Sequence, residues 1–216
     1  MLSLSLGHEA ALLDYVSRQL DHFFPDGRGG QRELLAAALP HALQRLQHCI
    51  NAVRLWPREE FDHLHSSQYT IFLYHLASTL WQGQADRALC NKLFGLNKAL
   101  NGIDLFYEIE LPEVFFIGHS VGIVLAKASY GNRLVLYQGC TVGKNHGQAP
   151  VIGEGVVMYP GSAIIGRCEV AAGSVLAQGV SVVNRSTPGR CLVFQGRSGG
   201  LMFKPATRDV LGDIFR

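Results

Sequence analysis

The chain has 216 residues, 48% of them hydrophobic, and its 19 Lys and Arg against 17 Asp and Glu leave a formal net charge of +2. That length and apolar content allow one large domain or two modest ones around a real core. The near-neutral balance offers no broad electrostatic ground for a nucleic-acid or membrane partner, and neither is expected.

The first residues, "MLSLSLGHEAALLDY", lack a cationic leader and meet Glu9 and Asp14 before any long apolar run, which reads as a cytoplasmic protein. From residue 8 to about 100 the apolar residues recur at helical spacing, first as Leu12, Leu13, Val16, Leu20, Phe23 and Phe24, later as Ile71, Phe72, His75, Leu76 and Leu80. An amphipathic, all-helical domain is predicted over 1–102. "PDGRGG" at 25–30 breaks its first helix, and Pro40 and Pro57 mark further interruptions or starts, for four or five helices in all. His41, His48, His63 and His65 stand singly in these stretches and read as solvated or packed side chains without chemistry. Cys49, Cys90, Cys140, Cys168 and Cys191 form no CxxC pair, so reduced and mostly buried thiols are expected.

After Asn101 the composition turns to Gly, Val, Ile and small residues, and a period of six emerges. Ile152, Met158, Ile164, Val170, Leu176 and Val182 are apolar positions six apart, and four residues after each comes a small or medium one: Val156, Ser162, Cys168, Ser174, Val180 and Ser186. Val124, Tyr130, Leu136 and Val142 form an earlier run in step, and Leu111 to Ile117 adds one interval. A strand alternates every two residues and a helix every 3.6, so a sustained six predicts stacked triangular coils of about eighteen residues. A β-sandwich would not hold such a register. It slips twice, between Ile117 and Val124 and between Val142 and Ile152. A slip extrudes residues from the coil, and extruded loops on a rigid scaffold are where chemistry sits. The first slip contains His119. Taken alone, His119 reads as a residue filling the turn between Gly118 and Ser120. The second is "GKNHGQAP", a projecting loop with Lys144, Asn145 and His146.

The layout, with "HSVGIV", "QGCTVG", "PVIGEGVVMYPGSAIIGRCEV" and "GLMFKP", resembles the serine acetyltransferases of the hexapeptide-repeat acyltransferase family. The resemblance implies an α+β protein: the helical domain, a left-handed parallel β-helix over 103–205 and a tail over 206–216. It implies transfer of an acetyl group from acetyl-CoA, without a metal, directly to an acceptor hydroxyl. The family's catalytic histidine falls on His119 and its partner aspartate on Asp104, fifteen residues earlier. With about eighteen residues per coil, that spacing brings Asp104 nearly beneath His119, where it would hold Nδ1–H and leave Nε2 as base. The pantetheine arm would lie along Ser162, Ala163, Ala177 and Gln178, and Arg197 and Lys204 would meet the phosphates. A homotrimer or dimer of trimers is implied, with sites between neighbouring β-helices. The ending "GDIFR" differs from the isoleucine that those enzymes insert into cysteine synthase, so that complex is not expected.

The chain departs from the family where an amino-acid acceptor is gripped. Gly118 replaces an aspartate, Ala126 and Lys127 stand in place of a glutamate, and Gln148 and Ala149 replace an Arg-His pair in a loop that is shorter here. His146 or Arg133 would have to substitute; otherwise the acceptor is a sugar or nucleotide-sugar hydroxyl or amine. Metal-dependent hydration, also found on left-handed β-helices, would need three convergent histidines, and this half offers His119 and His146. A non-catalytic trimeric scaffold is the alternative of another class.

Overall fold

The computed structural model describes residues 2–28, 30–84 and 86–216. Four long helices come first: α1 (Glu9–Phe23), α2 (Gln31–Ala52), α3 (Ser66–Gln82) and α4 (Arg87–Asn101). "PDGRGG" separates α1 from α2 as the sequence implies. Pro40 marks no boundary, because it sits inside α2, where buried Ala38, Leu39, Ala42 and Leu43 hold the helix together around it. An internal proline costs about 3 kcal/mol, and burying Leu35, Leu39, Leu43, Leu46 and Ile50 of the same helix at about 1.5–3 kcal/mol each outweighs that. α3 is not amphipathic: every residue from Ser67 to Leu80 is buried, so it is the central helix that the others surround. Two helix starts, those of α1 and α3, use histidine: His8 accepts from Ala11 N at 3.1 Å and His65 from Gln68 N at 3.5 Å. A short parallel pair, β1 (Ser3–Leu4) with β2 (Glu60–Phe61), adds strand where only helix is expected. Gly102, at φ 64°, ends α4 in the left-handed conformation that glycine adopts without penalty and turns the chain into β3 (Asp104–Leu105).

From β3 onward the chain winds as a left-handed parallel β-helix of about five turns. One face is built by β4 (Phe115–Gly118), β7 (Leu134–Tyr137), β10 (Val157–Met158), β13 (Val175–Leu176) and β15 (Cys191–Gln195), with β16 (Leu201–Pro205) closing it antiparallel. The next face holds β3, β5 (Val124–Leu125), β8 (Thr141–Gly143), β11 (Ala163–Ile165) and β14 (Ser181–Val183). The third holds β6 (Ser129–Tyr130), β9 (Val151–Ile152) and β12 (Glu169–Val170). All six apolar hexad positions from Ile152 to Val182 are buried, as are the small partners from Val156 to Val180.

Two positions depart from that register. Val124 is 43% exposed, and its neighbour Leu125 takes the inner place, pairing with Val142. Ile117 to Leu125 is eight residues rather than six, so two residues are extruded between them. Ser186 also faces outward while Thr187 turns in, its Oγ1 2.7 Å from Ser174 Oγ. The last residues pack back on the helices through α5 (Val210–Ile214): Ile214 and Phe215 are buried, and Arg216 donates to Asn51 O at 3.0 Å and Trp56 O at 2.8 Å. Among the described residues no helix is long and apolar enough to cross a membrane.

Candidate active site

The extruded pair is His119–Ser120, at the corner where the β4 face turns into the β5 face. On the coils below, that corner takes one residue between the position level with Gly118 and a left-handed glycine: Gln138 between Tyr137 and Gly139, Pro160 between Tyr159 and Gly161, Gln178 between Ala177 and Gly179. These glycines stack in a column under Gly122, each N–H donating to the corner carbonyl of the coil above at 2.9 to 3.0 Å. A Cβ at Gly122 would lie 3.4 Å from Gly139 Cα, so the column depends on bare backbone. On the top coil three residues, His119, Ser120 and Val121, lie between Gly118 and Gly122. Ser120 is buried and donates from Oγ to Asn101 O at 2.7 Å, which pins the extra loop down. His119 is thrust outward at φ 64°, a left-handed conformation that costs a residue with a side chain, and its ring makes no hydrogen bond among the described residues. A side chain held in a strained corner and left open to solvent is free to meet a ligand.

Asp104 lies on the neighbouring coil but not beneath His119. Its strand partner is Val124, twenty residues on, because the extruded corner lengthens this coil beyond the regular repeat. The turn after His119 does stack on the Asp104 segment, with Asp104 N donating to Ile123 O at 2.8 Å and Gly122 N to Gly102 O at 2.9 Å. The Asp104 carboxylate, however, accepts from Lys98 Nζ at 2.7 Å, and no hydrogen bond joins it to His119.

Below His119 the corner is walled by aromatic rings. Gly118 pairs with Tyr137, whose ring stacks on Tyr159 with centroids 5.5 Å apart and planes within 7°. A Cβ at Gly118 would come 2.8 Å from Tyr137 Cε1 and 2.9 Å from Phe116 Cε1, so these rings fill the space that a side chain at 118 would need. Burial, and then the neighbouring Tyr159, raise the Tyr137 pKa, so its hydroxyl stays a neutral hydrogen-bonding group. Neither tyrosine carried a signal at the level of the sequence; their alignment became visible only once the strand register was known.

Of the residues expected along acetyl-CoA, Ala177 and Gln178 lie on this corner, one coil below Tyr159, and Ala163 begins the adjoining face half-exposed. Ser162 does not fit. As the small inward position of its hexad it is fully buried, its Oγ 3.6 Å from Cys140 Sγ and its carbonyl accepting from Thr141 N at 3.0 Å. Lys204 Nζ sits 5.1 Å from the centroid of the Phe194 ring, which follows Ala177 in the same column, while Arg197 is exposed at the tip of the β15–β16 hairpin. The remaining candidates occupy other edges. His146 (φ 46°) and Gln148 are exposed on the loop between β8 and β9, at the corner joining the second and third faces, where Asn145 and Gln148 exchange backbone hydrogen bonds of 3.0 and 2.9 Å. Arg133 is exposed at the start of β7, at the third corner. Lys127, standing where a glutamate was expected, pairs with Glu108. Among the described residues no group of three or more His, Cys, Asp or Glu is placed to hold a metal ion.

No family model matches the chain. Among characterised proteins, it is 28% identical over 118 residues to a serine acetyltransferase of Synechococcus elongatus, covering 52% of this chain and 48% of that one. It is 26% identical over 133 residues to the serine acetyltransferase of Mycobacterium tuberculosis, covering 58% and 56%. The chain thus spans about half the length of the curated relatives it matches. Among solved structures, serine acetyltransferase from Vibrio cholerae superposes with a TM-score of 0.67 at 20% identity, covering 91% of this chain and 80% of that one. The Neisseria gonorrhoeae enzyme in complex with serine gives 0.66 at 18% identity, covering 93% and 84%. In fold, and in sequence over about half its length, the chain is serine acetyltransferase-like, a hexapeptide-repeat protein with a helical N-terminal half.

Proposed function

We propose that this chain is an acetyl-CoA-dependent O-acetyltransferase of the serine acetyltransferase type, with His119 as the general base. The observation that carries this is the corner itself: one two-residue insertion in an otherwise uniform column of corners, used to project a histidine into solvent. In this reading His119 Nε2 takes the proton of an acceptor hydroxyl as its oxygen attacks the thioester carbonyl. The tetrahedral oxyanion collapses, the C–S bond breaks, and the imidazolium returns the proton to the CoA thiolate. No acyl-enzyme forms. Asp104 is proposed to orient the imidazole, which requires its carboxylate to exchange Lys98 for His119 Nδ1–H. Ala163, Ala177 and Gln178 are proposed to line the pantetheine arm, with Lys204 and Arg197 toward the phosphates.

His119, His146 with Gln148, and Arg133 lie at three different corners of one coil stack. A single site that includes them needs a second copy, which supports a homotrimer or a dimer of trimers with each acceptor site shared between β-helices. Sedimentation showing only monomer at micromolar concentration would refute that arrangement.

The acceptor is a small hydroxyl compound, and the aromatic wall favours a sugar or nucleotide sugar as the second reading. The rings of Tyr137 and Tyr159 occupy the space beside Gly118, and flat aromatic faces suit a sugar ring better than a serine zwitterion, which needs paired opposite charges. The test is thiol release from acetyl-CoA with L-serine and a panel of sugar acceptors in competition. An uncharged or sugar acceptor should exceed serine in kcat/KM by at least about tenfold, the scale of one lost ionic contact. His119→Ala should abolish transfer while CoA affinity stays nearly intact. Asp104→Asn should cost roughly 100-fold or more, whereas Lys98→Ala should cost little. Equal, small losses for the last two variants would make Asp104 only the partner of Lys98. No thiol release with any acceptor would favour the non-catalytic scaffold.

A further inference from the structure

Away from the β-helix corners, a cleft of about 510 Å³ opens between α2, α3 and the segment 111–113 that leads into β4. His75 lines it. That side chain is 1% exposed, its ring packs on Tyr74 and Phe115 at centroid distances of 5.3 and 5.8 Å, and neither of its nitrogens has a hydrogen-bond partner. Buried polar groups are nearly always paired, so an imidazole with both nitrogens unpaired, at the wall of a cleft, points to a partner supplied from outside the chain. Burial first, then the charges of Arg45 and His41, hold its pKa well below the ordinary histidine value. His75 therefore presents one N–H donor and one nitrogen acceptor.

The same cleft carries an uncompensated cation. Arg45 is half-buried and donates through Nη1 to Ser78 Oγ at 3.4 Å and Thr79 Oγ1 at 3.2 Å, and no carboxylate pairs with it among the described residues. His41 and His48 are exposed at the mouth. The acid there, Glu113, is 86% exposed, with its carboxylate 3.8 Å from His48 Nε2. We propose that this cleft binds a small hydroxylated oxyanion, a carboxylic or phosphoric acid that also carries a hydroxyl, with its charge on Arg45 and its hydroxyl on His75. A guanidinium in a partly dry site favours carboxylate or phosphate oxygens. A hydroxyl can serve either nitrogen of a neutral imidazole, donating to the bare one or accepting from the N–H, whereas a bare carboxylate can only accept.

The test is calorimetric titration of the full chain, at about 0.15 M salt so that surface ions are screened, with citrate, tricarballylate, inorganic phosphate and glycerol. Citrate and tricarballylate differ only in the hydroxyl. Citrate should bind saturably with a Kd below about 1 mM, tricarballylate at least about fivefold more weakly, and glycerol not at all. Phosphate binding more tightly than citrate would assign the oxyanion to the phosphate class. Arg45→Met should abolish binding. His75→Phe should make citrate and tricarballylate equivalent and, by removing two unpaired nitrogens, leave the ligand-free protein at least as thermostable as the parent. Cooperative melting of both variants confirms their fold. The proposal is overturned if the parent binds neither citrate nor phosphate saturably, if glycerol competes, or if binding survives unchanged in both variants.

Discussion

Adding one carbon at Gly118 tests whether the aromatic wall is what keeps a side chain out of the position before His119. In the structure a Cβ there meets Tyr137 Cε1 at 2.8 Å, Tyr137 Cδ1 at 2.9 Å and Phe116 Cε1 at 2.9 Å, all shorter than carbon contacts allow. The Tyr137 ring is not free to swing away, since it lies flat on Tyr159 and edge-on to Phe116, whose centroid is 6.1 Å away. Overpacking of this kind costs about 1–3 kcal/mol, while Gly→Ala at a position with ordinary φ recovers about 0.4–1 kcal/mol through the unfolded chain. The net expectation for Gly118→Ala is a loss of about 1–2 kcal/mol. At about 2–4 °C per kcal/mol for a chain of this size, that is several degrees of Tm. Tyr137→Ala alone should also destabilise, by losing the stack, yet the double variant should be more stable than the sum of the two losses by about 1 kcal/mol or more. Thermal and urea melts of the four proteins close the cycle. Additive losses, or a Gly118→Ala protein as stable as the parent, would refute the claim that the rings exclude a side chain there.

Burial pushes the Cys49 thiol up to about 12 and the Cys90 thiol up to about 11, so an aromatic disulfide reagent at pH 8 should label neither in the native protein, and all five cysteines only after unfolding. Arg216→Ala should cost about 1–2 kcal/mol, read as a lower urea midpoint, because its guanidinium serves the carbonyls of Asn51, in the last turn of α2, and of Trp56 beyond it. The hydrogen bond from Lys92 Nζ, at 2.6 Å, holds the Asp26 carboxyl below its ordinary value of 3.8. A depressed folded pKa contributes stability above the unfolded value and loses it as the pH falls through the folded one. Asp26→Asn should therefore lower Tm at neutral pH, and the gap should close in acid; a gap independent of pH would contradict the pairing.

The β-helix was legible because its signal is a repeat: the buried columns from Ile152 to Val182 appear in the sequence as an interval of six and in the structure as inward-facing stacks. Irregular coils were read less well. The frame moved from Val124 to Leu125 because the count could not tell where, between Ile117 and Val142, the extra residues leave the coil. Spacing likewise suggested that Asp104 returns beneath His119, but a ladder pairs residues by register, and an extruded corner changes the register that the spacing assumes. In the helical half, Pro40 and α3 misled for a common reason: propensity and amphipathic pattern describe a helix facing water, and these segments are decided by what packs around them. Tyr137, Tyr159 and His75 were invisible as a site because each is ordinary alone and gains meaning only from a neighbour in another coil or helix.

Two of the three corners of the β-helix carry inserts, and that asymmetry bears on any shared site. The first corner gains two residues on the top coil, ending in an exposed His119; the second gains four on the next coil, forming the His146 loop; the third stays tight, with Gly131 so close to Gly153 and Glu154 that a Cβ would meet backbone at 2.4 Å. A side chain at Gly131 would clash with that backbone, so the coils meet closely at this corner, and the inserts sit at the first two. Those two corners lie at opposite edges of one face, the one formed by β3, β5, β8, β11 and β14. If neighbouring β-helices pack about a threefold axis, as the proposed site requires, the His119 corner of one copy faces the His146 corner of the next, and each copy repeats the same pairing. Mixing His119→Ala chains with His146→Ala chains should then restore some acetyl transfer wherever both intact corners meet, provided that His146 contacts the acceptor. Mixed trimers no more active than either parent variant would remove His146 from the site and leave the Tyr137–Tyr159 wall as the acceptor's principal contact.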